Sequence, residues 1–202
     1  MSPAVNTIAN RLSLRPPQRT SLEILARICD IISLEKGADL PAAPGAAQAG
    51  VAHALKAVQS EFSMVTDFER DFPSLCFALA TGVGKTRLMG AFIAYLNKTE
   101  GIRHFFVLAP NLTIYNKLIA DFTMPNAPKY VFKGVAEFAV EPPEIITGDN
   151  YESGRGIRSH DLYGENAVHV NIFNIGKITS IETPKGALKT NIMDESHRYR
   201  AS

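Results

Sequence analysis

The stretch FALATGVGKTRLMGAF, Phe77 to Phe92, decides the fold. An apolar run breaks at two glycines and a lysine, and an amphipathic run resumes behind them. Strand, glycine turn and helix, with the helix starting near Lys85, form the context that a phosphate-binding loop requires. Gly82 and Gly84 let backbone N–H groups turn inward around phosphate oxygens, where a Cβ would crowd them. The helix behind them adds unpaired N-terminal donors and the positive end of its dipole. Thr81, Gly82, Val83, Gly84, Lys85, Thr86 and Arg87 are therefore the candidate nucleotide-binding residues. Lys85 would neutralise the β- and γ-phosphates of ATP, and the Thr86 hydroxyl would ligate Mg2+. The pattern G-x-x-x-x-G-K-[ST] departs at its first glycine, which is Leu79 here. A Gly/Lys turn that binds nothing is the alternative.

Working outward, KTRLMGAFIAYLNK predicts a helix with Leu88, Phe92 and Leu96 on one side. SLCFALA before the loop and HFFVLAP beyond that helix read as buried strands. LTIYNKLIADF reads as another helix, and EIITG, HVNIFNI and TNIMDE as further short strands. Near-continuous apolar strands separated by helices predict a mainly parallel sheet covered on both faces, an α/β fold. Residues 124–141 yield no assignment. Upstream, Met1 to Ser13 reads as a flexible tail. PQRTSLEILARICDIISLEK places Leu22, Leu25, Ile28, Ile31 and Ile32 on one helical face, with prolines at its entry and Gly37 at its end. GADLPAAPGAAQAG reads as a linker, and a second helix follows around VAHALKAVQSEF. The expected organisation is a tail over 1–13, a helix and linker over 14–50, and the α/β domain over 51–202.

Bulk properties narrow the field. The 202 residues suffice for one domain with a full core but are tight for two. A net charge of +1 gives no electrostatic case for nucleic acid, so any such contact must rest on local placement of Lys and Arg. Cys29 and Cys76 lack metal-ligand spacing and read as buried thiols of a reducing compartment. No apolar run approaches the roughly 20 residues of a membrane span, and the N-terminus lacks a signal-peptide core. A soluble, cytoplasmic protein is expected.

The end of the chain holds the second cluster, MDESHRYRAS from Met193 to Ser202. Phosphoryl transfer needs a carboxylate to anchor the metal and a group to orient water. Asp194 would hold Mg2+ and Glu195 would polarise the attacking water. Taken alone, Asp-Glu after an apolar run is commonplace in solvated loops; beside a phosphate loop it gains meaning.

ATGVGKT and DESH resemble motifs I and II of the superfamily-two helicases of the DEAD/DEAH type. LRPPQ, Leu14 to Gln18, resembles their N-terminal adenine-recognition motif, with Pro17 at the position of the usual aromatic. VLAPNLTIYNK, Val107 to Lys117, is similar to motif Ia, and DESHRYRAS with VNIFNIGKI is most like the restriction (Res) subunits of type III restriction–modification enzymes. The resemblance implies a P-loop NTPase, RecA-like, three-layer α/β fold preceded by an N-terminal helical segment. It implies that Gln18, with Arg15 nearby, bonds the adenine edge, and that His197 links the nucleotide site to motif III. It places Pro110, Asn111, Thr113, Thr147 and Gly148 on the nucleic-acid side, although helix capping and turn formation explain several of them equally well.

The function implied is the first motor domain of an ATP-dependent DNA translocase or helicase, with ATP and Mg2+ as cofactors. Double-stranded DNA and a modification methyltransferase subunit are the implied partners. The chain stops after motif II, so a truncated piece of a longer motor is expected. It would lack the second RecA-like domain and hydrolyse ATP poorly alone. An RNA or DNA-repair helicase of the same superfamily, or a nucleotide-binding remnant without turnover, are the alternatives. A P-loop kinase or transporter ATPase has no need of the Asp-Glu-Ser-His order.

Overall fold

The computed structural model describes residues 2–32, 46–70, 72–151 and 167–176. The chain divides into two compact units, one formed by residues 1–101 with 131–135, the other by 102–130 with 136–202.

The first unit is helical. Helix α1, Pro3–Arg11, occupies the residues expected to be a loose tail. Its Val5, Ile8 and Ala9, with Leu12 at the C-cap, are buried. Their i, i+3, i+4, i+7 spacing makes one apolar stripe, and burial of that stripe outweighs the entropy that would have favoured a tail. Helix α2, Pro16–Ile31, starts on two prolines, whose missing N–H groups would have been unpaired there anyway. Leu22 and Ile28 are buried as the periodicity predicts, whereas Leu25 and Ile31 are only partly so. The helix gives way at Ile32, before Gly37, which lies outside the described residues.

Helix α3, Ala46–Glu61, pairs with α2. Ile28, Ile32, Val58 and Phe68 form the buried centre of that contact. At its rim Arg27 grips Glu61 with two hydrogen bonds, Nε to Oε2 at 2.7 Å and Nη2 to Oε1. Cys29 on α2 is half-buried, and that burial pushes its thiol up to about 11. Cys76 is exposed, contrary to the expected pair of buried thiols.

Helix α4, Lys85–Glu100, packs on α1 and α2. Its buried residues are Leu88, Gly90, Ala91, Ile93, Ala94 and Tyr95 rather than Leu88, Phe92 and Leu96; Phe92 and Leu96 are only partly covered. Neighbours on two sides widen the buried stripe beyond the row of large apolar residues. Ser74–Ala80, expected as a buried strand, carries no strand assignment, and Cys76, Ala78 and Ala80 are exposed. A segment becomes a strand only with a ladder partner, and none of the described strands pairs with this one.

Among its described residues, the second unit holds a three-stranded parallel sheet with one long helix on it. Strands β1 (His104–Ala109), β2 (Glu144–Thr147) and β3 (His169–Asn174) lie in the order β1-β3-β2. The register pairs His104 with His169 and Glu144 with His169. Helix α5, Leu112–Thr123, contacts all three strands. Val107, Ala109, Val170 and Ile172 share one face and are buried. On the opposite face, Phe106 and Leu108 are 60% and 46% exposed, so β1 is not the fully buried strand expected. Among the described strands β1 lies at an edge and has a neighbour on one side, where Phe106 stacks on Phe173. The stretch that yielded no assignment holds turns and the short helix α6, Ala136–Val140. The strand expected at TNIMDE lies outside the described residues.

Candidate functional site

The loop between Ala80 and Lys85 is built around two left-handed residues. Gly82 has φ 80° and Gly84 φ 96°. For an L-residue that conformation costs roughly 1–2 kcal/mol, which glycine avoids. Gly84 is the N-cap of α4, and its carbonyl accepts the first intrahelical bond, from Leu88 N–H at 3.2 Å. Lys85 is therefore the first residue of a helix of 16, where backbone donors are unpaired and the dipole is positive. Thr81, Gly82, Gly84 and Lys85 are exposed; Val83, Thr86 and Arg87 are partly covered. The exposed Lys85 ammonium and the half-covered Thr86 hydroxyl sit one residue apart on the first turn, an arrangement suited to a polyphosphate and a hard cation.

The corner between α1 and α2 holds this loop from its other side. Gln18 Nε2 donates to the Gly84 carbonyl at 2.8 Å, and its Oε1 accepts from Arg15 N–H at 2.8 Å. The second bond is one half of a capping box, with glutamine at N3 of α2 serving the N-cap amide. Gln18 is 2% exposed. Arg15 Nη1 donates to the Gly82 carbonyl at 3.2 Å, and Arg87 Nη1 to the Leu12 carbonyl at 3.1 Å. Arg87, expected at the nucleotide, thus commits a guanidinium nitrogen to the end of α1. A Cβ built on Gly84 would stand 2.6 Å from Gln18 Nε2, so the glutamine end would have to give way in addition to the cost of the positive φ.

In the second unit, the residues expected on the nucleic-acid side gather at the C-terminal edge of the sheet, the edge at which parallel α/β sheets bind ligands. Pro110 and Asn111 follow β1, and both are exposed with Thr113. Asn111 caps α5, its side chain accepting from Ile114 N–H at 2.9 Å. Thr147 ends β2 and is 7% exposed. Its amide donates to Asn150 Oδ1 at 2.6 Å, and Gly148 N–H donates to the Tyr115 hydroxyl at 3.1 Å. Thr147 and Gly148 are therefore turned inward as scaffold, tied by Asn150 and Tyr115.

Asp194, Glu195 and His197 lie outside the described residues. The contributions of Leu12, Tyr115 and Asn150 were missed from sequence. For Leu12 and Tyr115 nothing short-range marks them, since their partners are distant in the chain; the Asn150 turn was legible as Thr-Gly-Asp-Asn, a turn-rich tetrad. No cluster of His, Cys, Asp or Glu suited to a metal occurs among the described residues. No helix among them is long and apolar enough to cross a membrane.

Compared with known proteins, residues 12–202 match a family described as type III restriction enzyme, res subunit. One relative, from Haemophilus influenzae (strain ATCC 51907 / DSM 11121 / KW20 / Rd), is named "Probable type III restriction-modification enzyme HindVIP Res subunit". It is 37% identical over 70 residues, 31% of this chain and 13% of the relative. The chain thus matches only a small part of that relative's length. No solved structure matches.

Proposed function

The chain belongs to the Res-subunit family of type III restriction enzymes, and from that premise we propose that it binds Mg-ATP as the first motor domain of a DNA translocase. The helicase-like, RecA-type domain of that family is the setting; nucleotide binding and movement on DNA are the finer reading. What carries it is the pair of left-handed glycines at φ 80° and 96°, immediately before a helix whose first residue is an exposed lysine. In this reading the amides of residues 82–86 and the Lys85 ammonium hold the phosphates. Thr86 and Asp194 are the residues that would hold Mg2+, which supplies charge neutralisation at the phosphate oxygens. Glu195 orients the attacking water, and His197 couples the site to motif III of the full-length motor. Exposed Pro110, Asn111 and Thr113 at the sheet edge offer the nucleic-acid contact, with the modification subunit as partner in the whole enzyme.

The experiment is Lys85→Ala in the full-length protein. Losing a charge-assisted contact to phosphate costs about 1.5–3 kcal/mol, so ATP binding should weaken about tenfold to a hundredfold. Hydrolysis stimulated by duplex DNA should be lost with it. Unchanged affinity and turnover would remove the assignment. Stimulation of the parent protein by RNA and not by duplex DNA would move it to an RNA helicase.

A further inference from the structure

The hydrogen bonds that tie the corner between α1 and α2 to the phosphate loop and its helix are not alike. Arg15 Nη1 and Gln18 Nε2 donate to the carbonyls of Gly82 and Gly84. Both acceptors belong to left-handed glycines, which cross between backbone basins with little penalty. A further bond runs the other way. Arg87, the third residue of α4, donates from Nη1 to the Leu12 carbonyl at 3.1 Å. This one anchors the corner to a regular helix. Packing of α1 and α2 on α4 buries apolar area but is not directional; the Arg87 bond fixes how the corner sits over the start of α4.

The Leu12 carbonyl needs such a donor. Helix α1 closes with Ser13 in the left-handed region at φ 49°, its N–H returning to Asn10 O at 3.1 Å and that of Leu14 to Ala9 O at 2.9 Å. That closure satisfies carbonyls inside the last turn and leaves Leu12 O beyond it, in a residue 0% exposed. A buried carbonyl requires a partner, and a guanidinium suits the negative end of a helix dipole. The chain then passes through Arg15 straight into α2, with Gln18 in its first turn. Gln18 uses one N–H on the Gly84 carbonyl and one lone pair on the Arg15 amide. A carboxamide has two of each, so one donor and one acceptor remain, the pair that matches the edge of an adenine base. We propose that Arg87 is a positioning residue: by holding Leu12 O it seats this corner on the first turn of α4, and so sets affinity for the base of a nucleotide and not for its phosphates. This deepens the nucleotide-binding reading of the loop and rests on it. It also moves Arg87 from the phosphates, where the motif placed it, to the support of the base.

The test measures binding of ATP, GTP and inorganic tripolyphosphate, each with Mg2+, to the full chain and to its Arg87→Met and Arg87→Gln variants. Methionine keeps the apolar stem and removes the donor. Glutamine ends short of the Leu12 carbonyl, and its polar end can hydrate at this partly covered position, so it decides if Arg87→Met fails to fold. In either variant ATP should weaken about tenfold, while tripolyphosphate stays within about twofold of the parent. The preference for ATP over GTP should shrink with it. A merely structural role would loosen the site for all three ligands alike, so the split between ATP and tripolyphosphate is the deciding readout. Equal weakening of all three overturns the proposal, and so does unchanged ATP binding. A parent that binds tripolyphosphate as tightly as ATP reads no base, which overturns the proposal and leaves the phosphate loop standing. A parent that binds none of the three removes the nucleotide reading itself, and the proposal with it.

Discussion

At the scale of single residues, the two loop glycines are not equivalent. Both carry positive φ, but nothing stands within 4 Å of a Cβ on Gly82, whereas one on Gly84 meets Gln18 Nε2 at 2.6 Å. Gly82→Ala should therefore cost only the left-handed strain, roughly 1–2 kcal/mol. Gly84→Ala should cost more, and part of the excess should vanish in a Gln18→Ala background, since the clash goes with the glutamine. Urea denaturation of the two single variants, with the double-mutant cycle at 84, checks this. Equal losses for both glycines would contradict it. The need for glycine here was legible in the motif. Its second cause, the glutamine 66 positions away, was not.

At the scale of elements, the Arg27–Glu61 pair ties α2 to α3 across their exposed rim. The hydrogen bond from Arg27 holds the Glu61 carboxyl below its ordinary range. A carboxylate with a lowered folded pKa stabilises fully above its unfolded value, near 4.3. The contribution fades as pH falls through the lower folded value. Because the pair is exposed, salt and water screen it. The urea midpoint of Arg27→Met should thus lie slightly below that of the parent at pH 7, with the gap closing at pH 3 and in 1 M salt. A gap that persists in acid would mean that the arginine acts through packing of its stem. Element existence was largely readable: seven stretches expected as helices or strands became α2, α3, α4, α5, β1, β2 and β3. Where the reading failed, a partner decided. Residues 3–11 fold because α2 and α4 offer a surface to the Val5–Ile8–Leu12 stripe. Ser74–Ala80 stays outside the described sheet because strand character needs a neighbour to pair with.

At the scale of the whole molecule, charge is nearly balanced, with 21 basic and 20 acidic residues. Solubility should therefore pass through a minimum near pH 7.8, the isoelectric point of the sequence, and rise on either side. A solubility profile of the purified chain, flat across pH 6 to 9, would contradict this. Phe106 and Leu108, exposed on one sheet face, add apolar surface that favours association at that minimum. By itself the sequence determined the α/β class, the position of the glycine turn ahead of α4 and the parallel strands at 104, 144 and 169. It could do so because periodicity, glycine placement and helix entry are local properties of a chain. Only the tertiary structure decided that the N-terminal residues are a packed helix, that Gln18 is buried against the Gly84 carbonyl, and that Thr147 and Gly148 turn inward. Each of these depends on which distant atom fills a hydrogen bond or covers an apolar stripe. Such partners are chosen by close packing in space, and spacing along the chain does not encode them.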